Sequence, residues 1–197
     1  LGLGISIAKI PRTGEIKGVV PRLDYISLKC YTKQKIRKDM GGDKFTHWFP
    51  IYFGSNDDQF FYLAKKAISL IETGSTKNFN PDMIFTVLPK FFMALITEIN
   101  SENVINSSRS LKILLHIYRI VLFFIEKFPE IYEKFENSIK NFIENPSQRH
   151  KDNTPSLGDL LIYTIISKKF SFEDLLPAYM SEQMDRQIFW VLQAIPE

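Results

Sequence analysis

The residues with the clearest potential for chemistry form a basic segment that is interleaved with aromatic side chains. Lysine and arginine neutralise phosphates, and exposed aromatic rings stack on bases, so this pattern suits single-stranded nucleic acid. An acidic protein partner and a solvated face are the alternatives. The cations are Lys29, Lys33, Lys35, Arg37, Lys38 and Lys44, and the aromatic residues among them are Tyr25, Tyr31, Phe45 and Trp48.

One cysteine and three histidines are the other reactive side chains. Cys30 as a nucleophile would need a histidine such as His47 or His150 beside it, which the fold would have to supply. His116 and the other two histidines lie too far apart in sequence to hold a metal from one helix. We therefore predict no catalytic residue, no metal site and no cofactor, and a buried, inert thiol.

Two stretches are predicted to contact a protein partner. Residues 45–53 are an aromatic run in which Trp48 should be only partly buried, because aromatic residues often dominate the binding energy of interfaces. Residues 145–154 are the most hydrophilic connection in the chain. The candidate binding residues in the two stretches are His47, Trp48, Tyr52, Arg149, His150 and Lys151.

The charge of the chain is unevenly distributed. Residues 1–55 hold ten Lys and Arg against four Asp and Glu, whereas the remainder holds 15 against 18. We predict a basic, partly extended N-terminal subdomain over 1–55 and a helical domain over 56–197, which together form one folded unit. A single cysteine predicts an intracellular, cytoplasmic protein, and a start at leucine suggests a fragment of a longer chain.

Short interrupted patterns predict the elements of the first 55 residues. Residues 4–10 and 15–20 are expected to pair as a hairpin across the turn residues 11–14, with Pro21 ending the second strand. A helix over 23–38 should follow, with a strand continued by a charged loop as the alternative, and then an extended segment over 45–53.

Helical periodicity governs the rest of the chain. It predicts a mainly α fold, an irregular bundle of about five to seven helices behind the small hairpin. Residues 101–108 are expected to be a loop, and Pro89 and Pro177 should kink or break their helices. The expected helices cover residues 57–72, 80–100, 110–128, 129–142, 154–168 and 171–193.

The helix over 110–128 is the most apolar and should be the buried centre of the bundle. Lys112, His116 and Arg119 recur at helical spacing and form one narrow polar stripe on it. A membrane span would need about 20 consecutive apolar residues, so a soluble core helix is favoured.

Three stretches carry a family resemblance: residues 45–50, residues 149–151 with 154–158, and residues 185–190. Together they resemble an uncharacterised helical region of large multidomain eukaryotic proteins, some of which carry a ubiquitin-conjugating domain. The resemblance covers residues 45–197 and implies an accessory module with a ubiquitin-linked protein partner. The sequence lacks the His-Pro-Asn element of the conjugating domain, so that activity is not expected here.

These observations favour a non-enzymatic helical protein-interaction module. A nucleic-acid-binding module that uses residues 25–48 is the first alternative. An enzyme with a site built around Cys30 and His47 is the second.

Overall fold

Three antiparallel strands form a small sheet at the start of the protein. The structure is a computed structural model that describes residues 1–14, 16–53, 57–101, 103–149 and 156–194. The strands are β1 Gly2–Lys9, β2 Ile16–Ile26 and β3 His47–Pro50. The strand order is β2-β1-β3, so both β2 and β3 are edge strands. The predicted hairpin is confirmed, as is the extended segment that supplies β3.

The second strand is longer than the sequence pattern predicts. Pro21 pairs with Ile5 inside β2, and the register shifts between that pair and the next one, Leu3 with Tyr25. Proline is tolerated on edge strands and at bulges because an amide hydrogen is not needed there. The prediction that Pro21 ends the strand was therefore wrong.

Seven α-helices lie within the described residues, which confirms a mainly α fold with a small N-terminal hairpin. A short 3-10 turn, Pro146–Gln148, follows the fifth helix. The helices are α1 Leu28–Thr32, α2 Asp57–Thr73, α3 Met83–Ile99, α4 Val104–Lys127, α5 Pro129–Glu144, α6 Leu157–Ile166 and α7 Phe172–Ala194.

One hydrophobic core joins the sheet to the helices. Leu3 of β1 and Phe49 of β3 are fully buried in the same cluster as residues of α2 to α7. The Phe49 ring lies 4.8 Å from the ring of Phe91 on α3, centroid to centroid. The basic N-terminal region is therefore packed onto the helical region and not tethered loosely to it.

Two predicted helix boundaries were wrong, and a third lies outside the described residues. The helix expected over 23–38 is only α1, because β2 continues to Ile26 and Lys35 adopts a left-handed φ of 54° after the helix ends. The predicted loop over 101–108 is wrong from Val104 onward, where α4 begins, and Asn103 caps this helix by accepting from the amide of Asn106. The predicted start of α6 at Thr154 lies outside the described residues, and Ser156 forms the cap, with Asp159 as its reciprocal partner.

The helices α3 and α7 both continue through an internal proline, so Pro89 and Pro177 do not break them. A proline removes one backbone hydrogen bond. The helix α6 approaches α3 closely at Pro89. A Cβ added to Gly158 of α6 would lie 2.0 Å from the Pro89 carbonyl oxygen. Glycine at this position lets the backbones of α3 and α6 pack against each other.

Candidate functional site

The aromatic run places Trp48 in the core. Its side chain is only 8 % exposed, and its indole Nε1–H donates to the Ile26 carbonyl oxygen at 3.0 Å. A second small core cluster joins Trp48 to Ile26 and Phe45. The rings of this cluster lie over Gly2 and Gly4 of β1, where an added Cβ would come within 2.6 Å of ring carbons. The expectation of a partly exposed Trp48 was therefore wrong, and its role here is packing.

His47 and Cys30 are not joined by a hydrogen bond in the described part of the chain. His47 Nδ1 lies 2.7 Å from the hydroxyl of Thr46. Burial, with a smaller effect from the charge of Lys9, lowers the pKa of His47. The amide of Cys30 binds the Ser27 side chain as part of the α1 cap, and its thiol packs beside the Trp48 cluster. This arrangement fits packing, and the enzyme hypothesis stays a prediction.

Tyr52 is the exposed member of the aromatic run. It lies just after β3 and is 57 % exposed, and its ring centroid is 6.5 Å from that of His116 on α4. The next residue, Phe53, lies beneath the Arg119 guanidinium at 5.7 Å. The end of β3 thus meets the polar side of α4.

Arg149 closes the C-terminal end of α5. Its Nε–H donates to the Phe142 carbonyl oxygen at 2.7 Å, and its NH2 group donates to the Ile143 carbonyl oxygen. These are carbonyls that a helix end leaves without intrahelical partners. Arg149 is thus engaged in capping, while His150 and Lys151 lie outside the described residues.

The basic segment folds into a closed loop after α1. The Arg37 guanidinium lies 3.8 Å from the centre of the Tyr31 ring and also donates to the Tyr31 carbonyl oxygen at 2.6 Å. An isolated β-bridge joins Lys38 to Lys44. The lysines of this segment are exposed, whereas Phe45 is buried. The predicted surface for base stacking is therefore reduced to Tyr31, already covered by Arg37, and the exposed Tyr25.

Arg22 holds the same loop against β2. Its guanidinium donates to Asp43 at 2.9 Å and to the Lys44 carbonyl oxygen at 3.2 Å. Asp39 lies 4.0 Å from its Nε. The loop thus carries two carboxylates among its lysines, which lowers its net positive charge.

The helix α4 has an exposed apolar face that the sequence interpretation missed. Ile113, Ile117, Ile120, Val121 and Phe124 are fully buried. On another side of the same helix an apolar row is open to solvent, and we call it the α4 stripe. It consists of Val104, Leu111, Leu115, Tyr118 and Leu122, and the last four are 49 %, 57 %, 38 % and 40 % exposed.

The prediction that this helix is the buried centre of the bundle therefore fails on the side that carries the α4 stripe. The sequence does contain a signal that separates the two apolar faces, because the α4 stripe recurs at steps of seven, four, three and four residues. Alternating steps of four and three keep residues on one side of a helix. The buried residues follow their own helical series on a different side.

A basic flank runs beside the α4 stripe. Lys112, His116 and Arg119 follow the same steps of four and three residues, as the predicted polar stripe. Burial first, and then the charge of Arg119, lower the pKa of His116. His116 is therefore neutral near pH 7, and Lys112 and Arg119 supply the charge of the flank.

The C-terminal half of α7 is a second exposed apolar surface. Leu175 and Ala178 anchor the first half of the helix in the core. Beyond them, successive apolar residues point in all directions, since each residue turns the helix by about 100°. This end lacks the single directional seam of the α4 stripe. Its exposed apolar residues are Met180, Met184, Ile188, Phe189, Trp190, Val191 and Leu192.

Glu136 is a buried carboxylate that sequence reasoning did not single out. It accepts hydrogen bonds from the Ser167 hydroxyl at 3.0 Å, from the Lys168 amide at 2.9 Å and from the Tyr132 hydroxyl. Burial alone would raise its pKa, but these hydrogen bonds outweigh burial and lower the pKa. The carboxylate is saturated with donors and fastens α5 to the connection between α6 and α7.

Glu136→Gln is expected to lower the free energy of unfolding at pH 7 by about 1.5–3 kcal/mol, the usual contribution of hydrogen bonds to a charged group. A lowered folded-state pKa means that the contribution of Glu136 is complete above its ordinary pKa of 4.5 and is lost as the pH falls through the folded-state pKa. Urea unfolding at several pH values should therefore show a constant difference between pH 7 and 5 that shrinks in more acidic solution. Glu133→Gln, on the exposed side of α5, is the control; an equal loss in both variants would contradict the role of the network.

Comparison with known proteins finds no matching family model, curated protein or solved structure. The described helices include none with the length and apolarity required to cross a bilayer. Among the same residues, no group of three or more His, Cys, Asp and Glu side chains is arranged to hold a metal ion. Of the exposed surfaces described above, the α4 stripe with its basic flank has the most regular spacing of residues along one side of a helix.

Proposed function

We propose that this chain is a non-enzymatic helical protein-interaction module that binds a helical segment of its partner on the α4 stripe. The observation that supports this most directly is the exposure of Leu111, Leu115, Tyr118 and Leu122 at steps of four and three residues. This is the spacing with which one helix packs along another. Large exposed apolar rows rimmed by polar residues are typical of interaction sites.

The support beneath the stripe is rigid. The opposite side of α4 is held in the core by Ile117, Val121 and Phe124, none of which is accessible to solvent. A surface that is already ordered costs less conformational entropy when a partner binds. Tyr52 adds an exposed ring at the side of the same face, next to His116.

Three finer expectations remain proposals. A ubiquitin-linked partner rests on the resemblance of residues 45–197 alone, and an intracellular, cytoplasmic location rests on the single cysteine. Nucleic-acid binding rests on the exposed lysines of the basic segment.

The docking face can be tested with a phage-displayed library of helical peptides in which acidic, basic and neutral residues are equally frequent. Peptides that the wild-type chain enriches should lose at least about tenfold in affinity on Leu115→Asp, because truncation or charging of a central interface residue costs on the order of 2 kcal/mol. Circular dichroism should show that Leu115→Asp remains folded, since this side chain is mostly exposed.

Tyr62→Asp is the matched control, because Tyr62 is an aromatic residue of similar exposure on α2. It should leave the affinity of the enriched peptides unchanged. Enrichment that is equally insensitive to both substitutions, or a library that yields no binder, would overturn the proposed function.

A further inference from the structure

The charge along α4 indicates the kind of partner that would fit it, and this inference rests on the proposed function. From Val104 to Ile125 the helix contains no acidic residue, while it carries Arg109, Lys112 and Arg119. Such a run of one sign beside an apolar row complements a partner of the opposite sign.

The charges of the basic flank are available for a partner. Arg109 lies 3.7 Å from Asp24 of β2 and is thereby partly neutralised. In the ranges that the structure describes, Lys112 and Arg119 are exposed, and neither lies within ion-pair distance of a carboxylate. The contact that Arg119 does make is with the face of the Phe53 ring, which leaves its donors open to a carboxylate.

We propose that the occupant of the α4 stripe is an acidic amphipathic helix whose apolar residues pack on Leu111, Leu115, Tyr118 and Leu122 and whose carboxylates face Lys112 and Arg119. From Val104 to Leu122 the stripe is about 27 Å long at the usual rise of an α-helix. A partner helix of about five turns covers it completely.

A second copy of this chain does not satisfy the same face. If two α4 helices packed with their stripes against each other, neither copy would supply a carboxylate from Val104 to Ile125 to pair with Lys112 and Arg119 of the other. Like charges placed opposite each other in a helix pair oppose association.

A membrane surface fits the width of the stripe less well than a helix does. A helix that lies in a membrane interface presents a broad apolar face to the lipid. Here the opposite side of α4 is occupied by the protein core. From Leu111 to Leu122 the exposed row is about one residue wide, and Lys112 and Arg119 flank it on one side.

Three synthetic helical peptides of about five turns test the proposal. All three carry leucine at alternating steps of three and four residues, and their flanking positions are all glutamate in the first, all glutamine in the second and all lysine in the third. Fluorescence anisotropy of labelled peptides should give the affinity order glutamate, glutamine, lysine. Lys112→Glu combined with Arg119→Glu should weaken the glutamate peptide by about tenfold, because two attractions between opposite charges each become a repulsion. The same double variant should bind the lysine peptide more tightly than the wild type does.

The matched control is Lys29→Glu combined with Lys33→Glu, which makes the same change of charge on an exposed residue of α1 and on the exposed residue that follows it. It should leave the order and the affinities unchanged within about twofold at moderate salt, where distant surface charges are screened. An equal change in both double variants would show a general charge effect and would overturn the inference.

The remaining outcomes separate this inference from the proposed function. Equal affinity for all three peptides, with a loss on Leu115→Asp, would overturn the acidic partner and leave the docking face intact. Tightest binding of the lysine peptide would overturn the inference too. If no peptide binds but vesicles of phosphatidylserine and phosphatidylcholine do, and Leu115→Asp abolishes that binding, the partner is a lipid surface. That result would overturn both the acidic helix and the proposed function. If neither the peptides nor the vesicles bind, both proposals are overturned as well.

Discussion

Gly158→Ala is expected to destabilise the protein by about 3 kcal/mol, at the upper end of the usual cost of overpacking. The new Cβ would lie 2.0 Å from the Pro89 carbonyl oxygen and 3.1 Å from the Met93 amide nitrogen, and both atoms belong to the backbone of α3. A backbone cannot yield as the end of a side chain does, so α6 must move away from α3, and overpacking of this kind costs about 1–3 kcal/mol or more. Urea unfolding followed by circular dichroism measures the loss.

Helix propensity predicts the opposite sign for this substitution. Alanine is favoured over glycine inside a helix by about 1 kcal/mol, so a loss of stability must come from the contact with α3. Gly18→Ala in β2 is the control, because nothing lies within 4 Å of a Cβ at Gly18. Wild-type stability of Gly158→Ala would show that α3 and α6 do not pack as closely as described.

Val121→Asp is expected to prevent folding. Val121 has no exposed surface, and an unpaired carboxylate in an apolar environment costs several kcal/mol, a large part of the roughly 5–15 kcal/mol that stabilises a typical domain. The purified variant should lose its cooperative thermal transition and elute early in gel filtration. Lys112→Ala, on the exposed flank of the same helix, should change the stability by less than about 0.5 kcal/mol. Comparable stability of the two variants would mean that α4 does not form the centre of the core.

The elements that depend on local signals were predictable from the sequence. Asp57 and Asp58 begin α2, and Ser171 forms a capping box with Asp174 at the start of α7. In each case the residues that carry the signal lie within a few positions of each other in the sequence. The prolines were misleading, since Pro21 and Pro177 lie inside their elements. Pro21 is next to a bulge and Pro177 is exposed to solvent, and at such positions the missing amide hydrogen costs less.

The parts that depend on tertiary contacts were not predictable. The burial of Trp48 requires Gly2 and Gly4 on a strand more than 40 residues away, and no local pattern shows that pairing. Glu136 is similar, because its donors at Ser167 and Lys168 belong to another helix connection. For the candidate site, sequence reasoning found Tyr52 and the basic flank, but it placed Val104 in a loop and assigned the other residues of the α4 stripe to the core. Periodicity alone does not show how many sides of an apolar helix its neighbours cover.

The positions of two prolines in the sheet affect how it meets other chains. Pro21 lies in β2 and Pro50 in β3, so each of the two outer strands carries a residue without an amide hydrogen. An incoming strand needs a continuous row of donors and acceptors to extend a sheet, and a proline interrupts that row. The sheet is therefore poorly suited to edge-to-edge growth or cross-β aggregation, and a partner that arrives in extended conformation would find neither edge prepared for it.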